Sequence, residues 1–267
     1  MKIEKIAKHL SKIYPDEYKE DWDFPGLIVG SIDWETDKIL YTVDITEEIV
    51  NDAIENGCNL IFSHHPLFFR SVHNISDFTF RGKIVNKLLE NKIALYVGHT
   101  NVDKSINSAS KALAEELGLY EITPIEMNPL NENIGLGAFG VLPESLAFHE
   151  FAERVTVSLL ASPSGVRCSG DSDAQIKSVA ICSGSGDFML LGDELIQADV
   201  YITSDLRHHP VLDFRQEYPE KCIIDVPHWV GEHICLDSIR SRLESELEIK
   251  GIVSKIPTDP FNFVINK

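Results

Sequence analysis

The sequence predicts an α/β protein made of two α/β domains of similar rhythm. Strand-length apolar runs alternate with segments of helical spacing along nearly the whole chain, which is the pattern of parallel sheets with crossover helices. One aperiodic stretch, "EITPIEMNPLNEN" over 121–133, divides this rhythm in two. The chain has 267 residues, 43% of them hydrophobic, enough to bury two cores of ordinary size.

The elements follow in order. Ile3, Ile6, Ala7, Leu10 and Ile13 recur at helical spacing, predicting a helix over 2–14. "KILYTVDI" (38–45) reads as a strand. Thr46 reads as the N-cap of the next helix, with Glu47 and Glu48 favoured in its first turn by the helix dipole. "NLIF" is a strand, 82–91 a helix, "IALYVG" (93–98) a strand, and 107–117 a helix closed by Gly118. Beyond the break come "IGLGAFGVL", a helix near 144–160, the strand "KSVAICS" and a helix near 187–197. "DVYITS", a helix near 208–217, "KCIIDV", a helix over 229–247 and a terminal strand "FNFVI" complete the series.

Lys plus Arg number 24 and Asp plus Glu 42, a net charge of −18. Such a surface repels phosphate backbones and argues against a nucleic-acid partner. No apolar run approaches the ~18 residues of a membrane span. The N-terminus "MKIEKIAKHL" lacks the apolar core of a secretion signal. The five cysteines are scattered without a C-x-x-C pair and read as reduced thiols, so a cytoplasmic location is expected.

Polar clusters follow several strand-like runs, where ligands sit in open α/β sheets. "NLIFSHHPLFF" puts His64 and His65 at a strand's carboxyl end, with Pro66 restraining the turn. Alone, such a pair is more often a surface accident, but apolar runs flank it on both sides. "YVGHTNVDKS" brings His99 and Asp103 after the next strand; an ordinary β–α turn is the bland reading. In "DVPHWVGEHICLDSI", His228 and Glu232 are four apart and share one helix face, a chelating spacing. His64, His65, Asp103, His228 and Glu232 together offer three imidazoles and two carboxylates. Five ligands, with a Glu able to bridge, fit two divalent ions better than one, each adjacent histidine serving a different ion. Such a pair, roughly 3.5–4 Å apart, forms a hydrolytic centre. Mixed N/O ligation suits Zn, Mn, Fe, Ni or Co. His99, Asp205 and His209 are candidates for proton transfer. In "DVYITSDLRHHPVLDF", Arg207 and the imidazoles could hold an anion, with helix capping as the plainer role for Asp205. "CSGSGD" (182–187) could cradle phosphate, though it lacks the P-loop Lys, and a tight turn is its default reading.

"WDFPGLIVG", "VDIT", "SHHPLFF", "GHTNVD", "VAICSGSG", "ADVYITSDLRHH" and "HWVGE" resemble, in this order, the motifs of the Nif-three-like family, many of whose members are called GTP cyclohydrolase I type 2 homologues. The resemblance implies a dinuclear divalent-metal centre on the same five residues, with Glu232 bridging. It also implies two α/β domains with the C-terminal helix returning to the first: 1–125 with 229–267, and 126–228. A toroidal homohexamer and a small-molecule, nucleotide-like substrate are implied too, the latter for ring-opening or phosphoester hydrolysis. The chain resembles the short form, without a middle insertion. "WDFPGL" departs from the usual WDN-x-GL, Ser204 replaces a glycine in the usual TGD, and Pro227 replaces a glycine before His228. Ser204 and Pro227 both stiffen backbone that the family keeps loose. The competing function class is a non-catalytic metal-binding adaptor.

Overall fold

The computed structural model describes residues 1–129 and 131–265, and the chain divides into two units. The first holds Met1–Val102 and Leu236–Thr258; the second holds Asp103–Cys235 and the segment from Asp259 onward. The helix Leu236–Leu247 thus belongs to the first unit, as the family resemblance implies.

In the first unit, strands Lys38–Thr42, Leu60–Ser63, Ala94–Val97 and Lys250–Val253 run parallel, and Gly26–Val29 closes one edge antiparallel to Ala94–Val97. Leu60–Ser63 and Ala94–Val97 are buried along their whole length, so they read as unbroken apolar runs rather than alternating ones. Helix Glu47–Glu55 starts at the predicted cap: Thr46 Oγ1 accepts from Ile49 N at 3.3 Å. Its Ile49, Val50 and Ala53, with Ile84, Val85 and Leu88 of helix Phe80–Glu90, cover Leu40, Ile61 and Leu95 of the sheet.

The second unit is built on parallel strands Gln175–Ser185, Val200–Ser204 and Cys222–Asp225. Ala138–Ala147 and Tyr120–Thr123 extend the sheet on one side and Arg167–Ser169 on the other, each antiparallel to its neighbour. Helices Ala109–Glu116 and Phe148–Ser158 bury Leu113, Phe148, Phe151 and Val155 against Val179, Ile181, Ile202 and Ile224. The opposite face carries Ala180, Tyr201 and Ile223 under Met189 and Phe214.

Some elements differ from expectation. Residues 121–133 are not aperiodic: Tyr120–Thr123, Glu126–Asn128 and Asn131–Leu136 are strands. The helix expected near 187–197 is two 3₁₀ turns, Asp187–Leu191 and Asp193–Leu195, separated by Gly192. The helix expected over 229–247 is broken into His228–His233 and Leu236–Leu247, with Cys235 N bonded to Glu232 O three residues back rather than four. "FNFVI" forms no strand; the last strand is Lys250–Val253.

Candidate metal centre

Thr42, Ser63 and Val97 stand in register, so three parallel strands of the first unit end side by side. Their extensions carry Asp44, His64, His65 and His99. The ladder continues one step further: His64 N bonds to Thr42 O at 3.0 Å, His65 N to Val43 O at 2.7 Å and Gly98 N to Ser63 O at 3.0 Å. Ser63 Oγ donates to His65 O and locks the turn between the strand and the histidines.

Each ring is then fixed through Nδ1. His64, fully buried, donates to Gly98 O at 3.0 Å. Position 98 must be glycine, because a Cβ there would lie 2.5 Å from Phe62 and 2.8 Å from Val102. His65 Nδ1 lies 2.7 Å from Asp44 Oδ1, and Thr258 Oγ1 donates to the other Asp44 oxygen. His99 Nδ1 lies 3.0 Å from Asp23 Oδ1. Asp23 is held in turn by Thr100, whose N and Oγ1 donate to Oδ2 at 3.1 and 2.6 Å. Burial pulls the Asp23 carboxyl upward, but the hydrogen bond and charge of His99 and the donors of Thr100 outweigh it and leave it at about 2. Asn101 completes the turn, accepting from His99 N at 3.0 Å and donating to Tyr14 O at 2.9 Å.

A carbonyl only accepts and an ionised carboxylate only accepts, so neutral His64 and His65 carry the proton on Nδ1 and the lone pair on Nε2. This is how imidazoles are prepared for metal ligation. One ring nitrogen from each of His64, His65 and His99 lies within 4.8 Å of the others, a group able to hold a divalent ion.

The second unit repeats the arrangement at the ends of Val200–Ser204 and Cys222–Asp225. His228 opens helix His228–His233 directly after Pro227, whose φ of −58° suits a helix start without strain. Its Nδ1 lies 2.7 Å from Asp205 Oδ2 and its Nε2 lies 3.0 Å from Glu232 Oε1. Asp205 reaches back from a left-handed backbone, φ +57°. Glu232 is buried, against Gly184. Asp103 ends the turn Thr100–Asp103 as the first residue of this unit. It shares surroundings with Glu232: burial first, then Asp103 and Glu232, push up the thiol of Cys235, and the same three push Cys182 up to about 12.

Among the proton-transfer candidates, His99 joins the first cluster, Asp205 orients His228, and His209 lies exposed on helix His208–Glu217 with its ring 5.1 Å from that of His208. Arg207 pairs with Asp187. The "CSGSGD" turn is no phosphate loop before a helix: strand Gln175–Ser185 runs through it, Ser183 N is bonded to Ser110 Oγ, and a short 3₁₀ turn follows. Asp23 and Asp44, which position His99 and His65, carry no sequence signal as partners. They sit in the motifs "WDFPGL" and "VDIT", but only sheet register brings them to the rings.

Fold and side chains define a class: an α/β protein of two units whose strand-end histidines could hold a metal ion. The chain belongs to the Duf34/NIF3 (NGG1p interacting factor 3) family, whose model matches residues 1–260. It is 35% identical to a GTP cyclohydrolase 1 type 2 homolog of Streptomyces coelicolor, over 97% of this chain and 93% of that one. A protein of the same name from Clostridium perfringens is 33% identical over 99% and 100%. A hypothetical protein of Staphylococcus aureus superposes with a TM-score of 0.90 at 28% identity, over 99% of both chains. Reduced HcgD from Methanocaldococcus jannaschii gives 0.77 at 26% identity, over 96% of this chain and 98% of that one. Among the described residues, no helix is long and apolar enough to cross a membrane.

Proposed function

We propose that this chain is a metal-dependent hydrolase acting on a nucleotide-like substrate at a dinuclear centre ligated by His64, His65, Asp103, His228 and Glu232, with Glu232 bridging. One observation carries this reading. The adjacent imidazoles His64 and His65 each have Nδ1 hydrogen-bonded to an oxygen acceptor, which leaves two Nε2 lone pairs to serve as ligands, while His228 Nε2 and Glu232 Oε1 lie 3.0 Å apart, a nitrogen and a carboxylate oxygen converging as a chelating pair. A core histidine needs one satisfied hydrogen bond; a neighbouring pair with the same polarity is what a ligand shell requires. The donor set is mixed nitrogen and oxygen, without thiolate, and suits Zn, Mn, Fe, Ni or Co. The names of the Streptomyces and Clostridium relatives fit a nucleotide substrate.

Divalent ions bound there supply Lewis acidity and bring the pKa of water near neutrality. The rest falls to the protein. Gly98 O and Asp44 hold His64 and His65 in one rotation, and Asp205 does the same for His228. His99, kept oriented by Asp23, offers its Nε2 lone pair to accept a proton. Elemental analysis of purified protein, beside a His64→Ala/Glu232→Ala variant, tests the centre. About two equivalents per chain are expected, with loss in the variant; unchanged stoichiometry would remove the basis of the proposal. Formate release from GTP and phosphoester hydrolysis by loaded protein test turnover. Full metal occupancy with no turnover of any nucleotide or phosphoester would leave the adaptor function in its place.

A further inference from the structure

Among the exposed large aromatic side chains of the first unit, three lie on the segments that carry Asp23 and His65: Trp22 is 56% exposed, Phe24 74% and Phe69 61%. In "HHPLFF", Leu67 is buried in the core and Phe68 packs against it, so the apolar anchoring is complete before Phe69. Two of the three surround His99. The Trp22 ring lies 5.8 Å from the His99 ring at 70°, and the Phe69 ring 6.2 Å from it at 73°. Both therefore stand nearly perpendicular to the imidazole. Trp22 and Phe69 are in tilted contact, 5.7 Å apart at 53°, and both remain more than half exposed.

The backbone that carries both rings is anchored. Trp22 precedes Asp23, which is buried and bound through Thr100 N, Thr100 Oγ1 and Phe24 N. Phe69 lies four residues beyond His65 on the segment that Ser63 and Pro66 restrain. Cations lie close along the chain: Lys19 Nζ is 5.7 Å above the Phe24 ring and 3.6 Å from Asp16 Oδ2. Arg70, next to Phe69, is exposed. In a chain of net charge −18, cations beside exposed aromatic rings suit an anionic ligand with a flat π-face.

We propose that Trp22, with Phe69 tilted against it, offers a stacking face for a planar heteroaromatic base, which seats a nucleotide with its base beside His99. The subsite names a substrate class for the centre proposed above and rests on that reading for its role in turnover, though not for binding.

The test separates base recognition from metal–phosphate attraction. GMP and ribose 5-phosphate are titrated calorimetrically into EDTA-treated full-length protein, wild type, Trp22→Ala, Trp22→Phe and Phe78→Ala. Phe78 is 94% exposed and serves as an aromatic control. GMP is expected to bind at least about tenfold more tightly than ribose 5-phosphate, one base stacked on an aromatic ring being worth that much. Trp22→Ala should bring the ratio near one, Trp22→Phe should restore most of it, and Phe78→Ala should leave it unchanged. Equal affinities in the wild type, absence of GMP binding, or a preference that survives Trp22→Ala would overturn the subsite. Metal content, measured on protein before EDTA treatment, decides the dinuclear centre: protein purified without metal whose treated form still prefers GMP keeps the subsite and loses the centre, and protein purified with about two equivalents whose treated form lacks the preference does the reverse.

Discussion

Gly184→Ala separates a ligand-shell defect from a folding defect. A Cβ built on Gly184 would sit 2.6 Å from Glu232 Oε1, and ordinary contact begins at 3.4 Å. The carboxylate must therefore retreat by about 0.8 Å (3.4 − 2.6), more than the ~0.5 Å within which a functional group must be held. Gly184 also has φ +78°, where an L-residue costs about 1–2 kcal/mol, offset by about 0.4–1 kcal/mol from the stiffer unfolded chain. Gly165 supplies the control. Its φ is +64° and a Cβ there meets nothing within 4 Å, so Gly165→Ala carries the backbone cost alone. Both variants should lose about 2–4 °C in Tm. Only Gly184→Ala should lose metal affinity, by about 10–100-fold, measured by competition with a chromophoric chelator at fixed pH. Wild-type affinity in Gly184→Ala would refute the role of Glu232; equal loss in Gly165→Ala would show that affinity follows fold stability.

Other outcomes follow from the same geometry. Asp44→Ala releases His65 Nδ1, and metal affinity should fall about 10–100-fold in the same chelator assay. Phe151→Ala opens a cavity in the second unit's core and should cost about 3–5 kcal/mol, seen as a lower urea midpoint with unchanged slope. Of the five cysteines, Cys168 is exposed and the others buried, so native protein at pH 8 should expose one thiol to DTNB and denatured protein five. Burial pushes the Cys58 thiol up to about 11 from an ordinary 9.0. Its folded pKa is raised, so its stabilising share is complete below pH 9 and disappears as pH climbs to 11. Cys58→Ala should flatten the alkaline limb of the stability curve over that window, measured by urea unfolding at each pH.

Much of the fold was legible because its elements are locally consistent. The spacing of Ile3, Ile6 and Leu10 and the Thr46 cap both act within a few residues, and both elements formed where expected. The misses involve signals that local sequence does not carry. The break between His233 and Leu236 has neither Gly nor Pro to mark it; the turn tightens at Cys235, whose N bonds to Glu232 O three residues back. "FNFVI" alternates like a strand but finds no sheet edge to join. The Asn- and Pro-rich stretch 121–133 hides strands because its side chains are largely exposed and lack an apolar period. At the site, the His64–His65 doublet and the His228–Glu232 spacing were visible because each lies within a single turn. Asp23 and Asp44 were not visible as positioning groups, since strands must pair before these carboxylates meet their rings.

The path of the polypeptide between the units also governs the order of biosynthesis. Lys250–Val253 is the edge partner of Lys38–Thr42, and everything from Asp103 to Cys235 is translated between them. The sheet begun first is therefore the last to be completed on the ribosome, waiting with an unpaired Lys38–Thr42 edge while the second unit can already close its own sheet. A nascent chain stalled before residue 250 should engage chaperones through that open edge, and release of the last few strand residues should end the engagement.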